Sequence, residues 1–497
     1  MRQTVNDNYN HILKYTSLFG GVQILIIFAN MIRNKAMAVF LGAEGLGLNS
    51  MLYSVQTFAS QCTSLGLSFG SIPVLSESFE RGDEKQIQYN IQMIRLWSIM
   101  AAALGLLFCL VVSPFLGNMT FTWGHFMDHY AALGLSVAAI AITGGETAIL
   151  KATRRLGLLA RVQVYTAIAS IIISVPLYIF FSYSGILPSI ILMAVFGAVA
   201  TVVCSYRCYP LKLDFTLSLL RSGLGIVRLG MAFVMATAIG SGAEMLIRAF
   251  LNVGEGLDAV GFYNAGYMIT LTYASLVFTA MESDYFPRLS AVCHDIDASN
   301  NTVNRQIEVS LLLLSPMLIM LLMMLPVLIP LFFSNEFLKI IDMTQVAVLA
   351  MFFKVLTLPV AYITLARGYS LSYLLLETTY YIVLVLVVVV GFNCWGIYGT
   401  GVAIVVAHIF DMLMIYGYAY WKYDFRSTRA VMQYWGIHIM LGITAYCLSC
   451  LTEGWLYWIS ETALTIVSAA YSVCILRQKA HLWEALKRRF SIFAQRV

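Results

Sequence analysis

Residues 16–70 read TSLFGGVQILIIFANMIRNKAMAVFLGAEGLGLNSMLYSVQTFASQCTSLGLSFG. Two runs of roughly 20 residues, each the length that crosses a bilayer core, flank the short segment LGAEGL at 41–46. The first run carries two bases, Arg33 and Lys35, in its far half. The second run is polar for a lipid-facing helix, with Ser54, Gln56, Ser60, Gln61 and Ser64. A helix of that kind lines a cavity or packs closely on a neighbour.

The same reading extends along the whole chain. Apolar segments fall at 16–40, 47–70, 93–116, 130–150, 160–182, 186–206, 226–250, 262–283, 307–333, 345–367, 369–391, 397–421, 433–451 and 455–476. Hydrophobic residues make up 60% of the 497 and charged residues 11%, with a mean hydropathy of +0.81. This is the composition of an all-α polytopic membrane protein with about fourteen transmembrane helices. With the N-terminus in the cytoplasm, 25 of the 30 Lys and Arg residues fall on the cytoplasmic side and only Lys339 lies in a far-side loop. That bias sets the orientation, both termini cytoplasmic. The net charge of +5 is thereby explained by the loops and implies no nucleic acid.

Several function classes are excluded. No Gly-rich phosphate loop, HExxH or GxSxG is present, and no soluble stretch is long enough for a nucleotide-binding domain. The longest far-side loop, about 117–129, holds no Lys or Arg, which argues against a membrane glycosyltransferase or polymerase with catalytic groups outside. The chain is expected not to be an enzyme and to hold no metal or cofactor, with coupling to H+ or Na+ left open. Cys204/Cys208 and Cys447/Cys450 are close pairs on apolar helices, where cysteine packs as a small hydrophobe.

An offset of 214 residues reveals an internal repeat. Gly47 meets Gly261, Tyr53 meets Tyr267, Pro73 meets Pro287, Leu75 meets Leu289 and Ser76 meets Ser290. Gly185-Ile186 meets Gly396-Ile397 with a small slip. Six helices per repeat is an even number, so the halves are parallel, an arrangement that places a substrate site between them near the midplane. The expected organisation is a six-helix lobe at 1–206, an amphipathic cytoplasmic linker at 207–225 and a second six-helix lobe at 226–421. Two additional helices follow at 422–476, then a basic cytoplasmic tail at 477–497 with Leu482, Trp483, Leu486, Phe490 and Phe493 as an apolar stripe.

Four bases lie inside spans: Arg33, Lys35, Arg248 and Lys354. A charge at a helix centre costs about 3 kcal/mol on insertion scales, so it pairs or faces water. Arg33 and Lys35 either snorkel outward or line a cavity. Arg248 follows Glu244 by one turn, so an ion pair competes with a cavity role. Lys354 lies roughly 13 Å into its helix with no acid three or four residues away, and needs a partner from another helix, water or an anionic ligand. Together these bases predict a cationic cavity. His408 and Asp411 share a helix face near a span centre, either as a proton- or cation-handling pair or as a structural hydrogen-bonded pair. Glu146 and Glu377 lie near cytoplasmic ends, where solvation is cheap.

The stretch from Ser17 to Glu77 resembles the opening of the bacterial polysaccharide flippases, within the multidrug/oligosaccharidyl-lipid/polysaccharide exporter superfamily. Ile32-Arg33-Asn34-Lys35, Leu41-Gly42-Ala43-Glu44-Gly45-Leu46-Gly47 and the polar second helix ending at Leu65-Gly66 carry the likeness, which is greatest to the O-antigen and lipid III translocase branch. The resemblance implies a MATE-like fold of two six-helix repeats and a bacterial inner-membrane location. It implies flipping of oligosaccharide repeat units (O-antigen, capsule or similar polysaccharide) on undecaprenyl diphosphate from the cytoplasmic to the periplasmic leaflet. A polysaccharide polymerase and a chain-length regulator are the implied partners, and the pathway includes lipopolysaccharide biosynthesis. In such proteins the first, second, seventh and eighth helices border the cavity. Arg33, Lys35 and Arg248 fit that placement. The expected diphosphate- and sugar-binding set is Arg33, Lys35, Arg248, Lys354, Gln56 and Gln61; the family gives no single residue set for coupling, and Asp411, His408 and Glu244 are the candidates for it in this sequence. A lipid II flippase or an ion-coupled multidrug exporter of the same superfamily is the alternative. The two additional helices depart from the twelve-span pattern.

Overall fold

The structure, a computed structural model, describes residues 2–120, 127–211 and 217–480. Thirteen α-helices occur among them: α1 (Arg2–Thr63), α2 (Leu67–Arg81), α3 (Glu84–Thr120), α4 (Met127–Ala152), α5 (Leu156–Phe181), α6 (Ile186–Cys208), α7 (Leu217–Glu255), α8 (Leu257–Val292), α9 (Ile296–Phe332), α10 (Ile341–Ala366), α11 (Ser370–Tyr423), α12 (Arg429–Leu451) and α13 (Gly454–Ala480). Ten stretches are long and apolar enough to cross a membrane, and three of them are of double length: Gly21–Thr63, Leu156–Cys208 and Ser370–Tyr423. Counting those three twice and adding α8 gives the fourteen expected passages.

The double stretches cannot run straight. Gly21–Thr63 would extend about 65 Å at 1.5 Å per residue, twice the roughly 30 Å core. Its break is Gly42, with φ 67° and ψ −162°, a backbone open to glycine and closed to most side chains. The loop expected at 41–46 is thus a single-residue reversal inside α1. In α11 the break is Trp395–Gly396, and the chain doubles back so tightly that a Cβ on Gly391 would meet the Gly399 carbonyl.

These reversals expose the repeat more clearly than any side chain does. Residues with positive φ include Gly42 and Gly256, Arg154 and Gly368, Ser182 and Gly396. Each pair is separated by the same 214 residues. Ser182 (φ 52°, ψ −133°) and Gly396 (φ 58°, ψ −143°) adopt nearly the same backbone. The slip expected at Gly185 against Gly396 is therefore a correction: the equivalent of Gly396 is Ser182, in register. Equivalent residues also meet directly. A Cβ on Gly47 would strike the Leu257 carbonyl, and one on Gly261 would strike the Ala43 carbonyl. Since 43 pairs with 257 and 47 with 261 under the offset, the contact is reciprocal, as at a two-fold axis, and small residues let the backbones close.

The chain divides into two compact units, 1–264 with 331–336, and 265–330 with 337–497. In the first, α3 packs on α4 and α1 packs on α5 and α7. Leu67, Met93, Leu96, Trp97, Leu219 and Ile226 form one buried cluster, and Leu75, Ile87, Ile91, Ile94 and Ile149 another. In the second, α10 packs on α11 and α12, and α12 on α13. α10 is buried on almost every side, from Met343 to Thr364, as its all-round apolarity requires.

Two expectations about connections change. α3 runs to Thr120 and α4 starts at Met127, which shortens the far-side loop expected at 117–129. α7 begins at Leu217, inside the segment read as a linker. The apolar stripe expected at Leu482–Phe493 lies outside the described residues, as does linker segment 212–216.

Candidate functional site

In the first unit the polar second arm of α1 is met by α7. Thr237 Oγ1 donates to Gln61 Oε1 at 3.1 Å; just beyond that arm, in α2, a Cβ on Gly70 would meet the Ile226 carbonyl of α7. Gln56 is buried. Of the two readings of this helix, close packing on a neighbour accounts for Gln61.

Arg248 of α7 is buried and held on three sides. Its Nε donates to Ser50 Oγ at 3.0 Å, one terminal nitrogen reaches Glu244 Oε2 at 3.1 Å and the other reaches Asn264 Oδ1 at 3.3 Å. The Arg248–Glu244 ion pair allowed by their spacing is therefore formed, and it ties α1, α7 and the start of α8 together. Glu244 keeps 37% of its side chain exposed. Arg33 differs: it is half-buried, and its Nε is buried with no hydrogen-bond partner among the described residues. Lys35, also half-buried, lies two residues on.

Arg95 is a correction. The sequence count placed it with the cytoplasmic loops, but it is buried inside α3. Its Nε donates to Glu146 Oε1 at 2.7 Å, and its terminal nitrogens reach the Pro210 carbonyl at 3.2 Å and the Tyr209 carbonyl at 2.9 Å. The guanidinium also lies over the Tyr206 ring at 4.2 Å. Glu146, read as solvated, is instead the partner of a buried base. Such a pair breaks expensively, about 3–5 kcal/mol when one partner is removed.

The second unit gathers a different set. Lys354, on the buried helix α10, places Nζ over the Phe278 ring at 5.8 Å and lies within electrostatic reach of Glu377, His408 and Asp411 on α11. The partner it required from another helix is thus a pair of acids. Asp411 is in hydrogen-bonding contact with Thr357 of α10, and Glu377 with Tyr373. His408 is buried; its Nδ1 lies 2.9 Å from the Ile404 carbonyl, and Tyr380 stands edge-on at 5.6 Å. His408 and Asp411 share a helix face as expected but turn to different partners. Glu377, ranked low from its position near a span end, belongs to this set.

This is a charge-balancing arrangement rather than a purely cationic lining. One base faces two carboxylates, so with both acids ionised the set carries one unbalanced negative charge, which a proton or small cation would neutralise.

The profile of a family described as polysaccharide biosynthesis protein matches residues 36–342. No curated protein matches the chain. Among solved structures, an inward-facing multidrug resistance MATE family transporter of the MOP superfamily aligns with a TM-score of 0.69 at 12% identity, over 83% of this chain and 96% of that one. The lipid II flippase MurJ, in an inward closed conformation, aligns with a TM-score of 0.65 at 13% identity, over 94% of this chain and 99% of that one. A MOP superfamily transporter from Pyrococcus furiosus aligns with a TM-score of 0.55 at 13% identity, over 82% and 93%. At such identities the likeness is one of fold.

Proposed function

Because this chain belongs to the polysaccharide biosynthesis protein family, we propose that it is a flippase for lipid-linked oligosaccharides. It moves repeat units on undecaprenyl diphosphate from the cytoplasmic to the periplasmic leaflet of a bacterial inner membrane, by alternating access between its two repeats. The observation that carries this reading is Arg33. Its buried Nε has no acceptor among the described residues, and with Lys35, two residues on, it sets two bases within one membrane passage. A diphosphate supplies a matching anion, and guanidinium binds phosphate oxygens through paired hydrogen bonds. Arg248 is already held by protein acceptors, so its role here is to brace the second arm of α1, through Ser50, against α7. The Lys354, Glu377, Asp411 set serves ion coupling. A polymerase and a chain-length regulator would receive the product.

Glu377 and Asp411 favour a second reading, an ion-coupled exporter of cationic drugs, since acids suit such cargo. One experiment separates the two. Cells depleted of the protein should hold the lipid-linked repeat unit out of reach of an impermeant oxidant added outside. Wild type should restore exposure, and Arg33→Ala with Lys35→Ala should fail to do so at normal membrane levels. Unchanged exposure in depleted cells would remove the flippase reading.

A further inference from the structure

The two appended helices contain a buried polar column with no place in the mechanism above. Glu461, two turns into α13, has no exposed surface, and neither of its carboxyl oxygens has a hydrogen-bond partner among the described residues. On the same helix face lie Tyr457, Ser468 and Ser472, all buried. The serine hydroxyls hold the His438 ring of α12, one 3.2 Å from Nδ1 and the other 3.3 Å from Nε2.

Tyr457 and Thr465 are the hydroxyls one turn from Glu461 on this face, and both donate elsewhere, Thr465 to the main-chain carbonyl of Glu461 at 2.8 Å. The Tyr457 OH reaches the α9 carbonyls of Leu322 at 3.2 Å and Met323 at 2.9 Å. The cause is Pro326, which has no N–H for the carbonyl four residues back. Tyr457 supplies the missing donor, and its single proton is thereby committed. Glu461 is left without one. A carboxylate stripped of both water and donors carries a large desolvation cost, which a bound proton removes.

A cavity ends one helical turn from that carboxyl. It measures about 310 Å³ and lies at the α12–α13 turn, lined by Asp342, Gln345, Glu453 and Tyr457 among others. Its two acids concentrate cations, and Tyr457 lies one helical turn from Glu461. In the proposed orientation this is the extracytoplasmic end.

We propose that Glu461 is a proton-binding site in the appended helix pair, loaded from the acid-lined cavity. The step is the formation of one O–H bond on a carboxylate oxygen from a proton in the cavity water, and its reverse. A metal cation would require several converging oxygen ligands, and among the described residues no group of three or more His, Cys, Asp or Glu side chains could hold one; one turn from Glu461 on α13 stand Tyr457, Trp458, Leu464 and Thr465. The titratable groups near it are few. Tyr457 is on its own helix, α9 offers the non-titrating Leu322 and Met323, and α12 offers His438 two turns away. Asp342 of α10 and Glu453 stand at the mouth. The inference is independent of the flippase reading, because its readout is a proton and not a lipid-linked sugar.

Infrared difference spectra between acidic and alkaline media test it, on full-length protein in phosphatidylcholine vesicles. Wild type should show a carboxyl C=O band that shifts in D2O. Glu461→Gln should lose that band, and Glu461→Asp should move it. Asp342→Asn with Glu453→Gln should keep the band but delay its appearance after an external pH jump. Circular dichroism and the thermal midpoint establish that the near-isosteric Gln variant is folded. An identical band in folded Glu461→Gln overturns the proposal. So does a wild-type spectrum that answers to sodium at fixed pH and not to pH.

Discussion

Lys354 shares its surroundings with two carboxylates, so its removal alone leaves Glu377 and Asp411 facing each other without a counter-charge. Losing one partner of a fully buried pair costs about 3–5 kcal/mol; Lys354 is half-buried, and its loss should cost less. Lys354→Met is expected to lower the melting temperature of the detergent-solubilised protein. Adding Asp411→Asn should recover most of that loss while export stays absent. A double variant no more stable than the single would show that the three side chains are not charge-balanced. The sequence disclosed part of this site. Spacing along one helix was readable: Glu244 with Arg248 is an ion pair, and His408 with Asp411 is a shared face. Contacts between helices were not. Glu377 and Glu146 were ranked by depth along a span, and depth does not reveal that α10 brings Lys354 to one and α3 brings Arg95 to the other.

Among the elements, the reversals are the most constrained positions. Ser182 and Gly396 have equivalent backbone at a 214-residue separation, yet only one is glycine. A side chain in that region stores about 1–3 kcal/mol of strain. Ser182→Gly should therefore raise the melting temperature or leave it unchanged, since glycine's greater unfolded-state freedom offsets part of the relief. Gly396→Ser should lower it. Nothing lies within 4 Å of a Cβ built at Gly396, so the loss would report backbone conformation and not a clash. Equal tolerance of serine at both positions would mean that the reversal is not held in this geometry. The fold was legible at this scale because membrane thickness fixes helix length and apolar runs record it. The breaks fall inside the expected gaps, Gly42 within 41–46 and Trp395–Gly396 between the spans 369–391 and 397–421, but each is a reversal of one or two residues and not a loop. Hydropathy marks the extent of an apolar run, whereas a positive-φ residue marks the single point where the backbone turns.

Across the whole molecule, the proposed flippase must be driven and reset, and its sequence holds no Gly-rich phosphate loop. Outward movement of an anionic head is favoured by a potential negative inside, about 2.3 kcal/mol per charge per 100 mV, so the loaded step is already downhill. On the proposed reading, the return of the empty carrier is the step that an ion would drive. The Lys354, Glu377, Asp411 set suits it, because one base against two acids has room for one more positive charge. In liposomes bearing an inward proton or sodium gradient, wild type should turn over faster than without it. Asp411→Asn should abolish the difference and still bind the lipid-linked sugar, since Arg33 and Lys35 are untouched. If wild type moves the sugar equally well with no gradient and no potential, and Asp411→Asn matches it, active coupling is wrong. The protein would then be a facilitator that equilibrates its substrate between leaflets, with consumption of the flipped unit outside as the only source of direction.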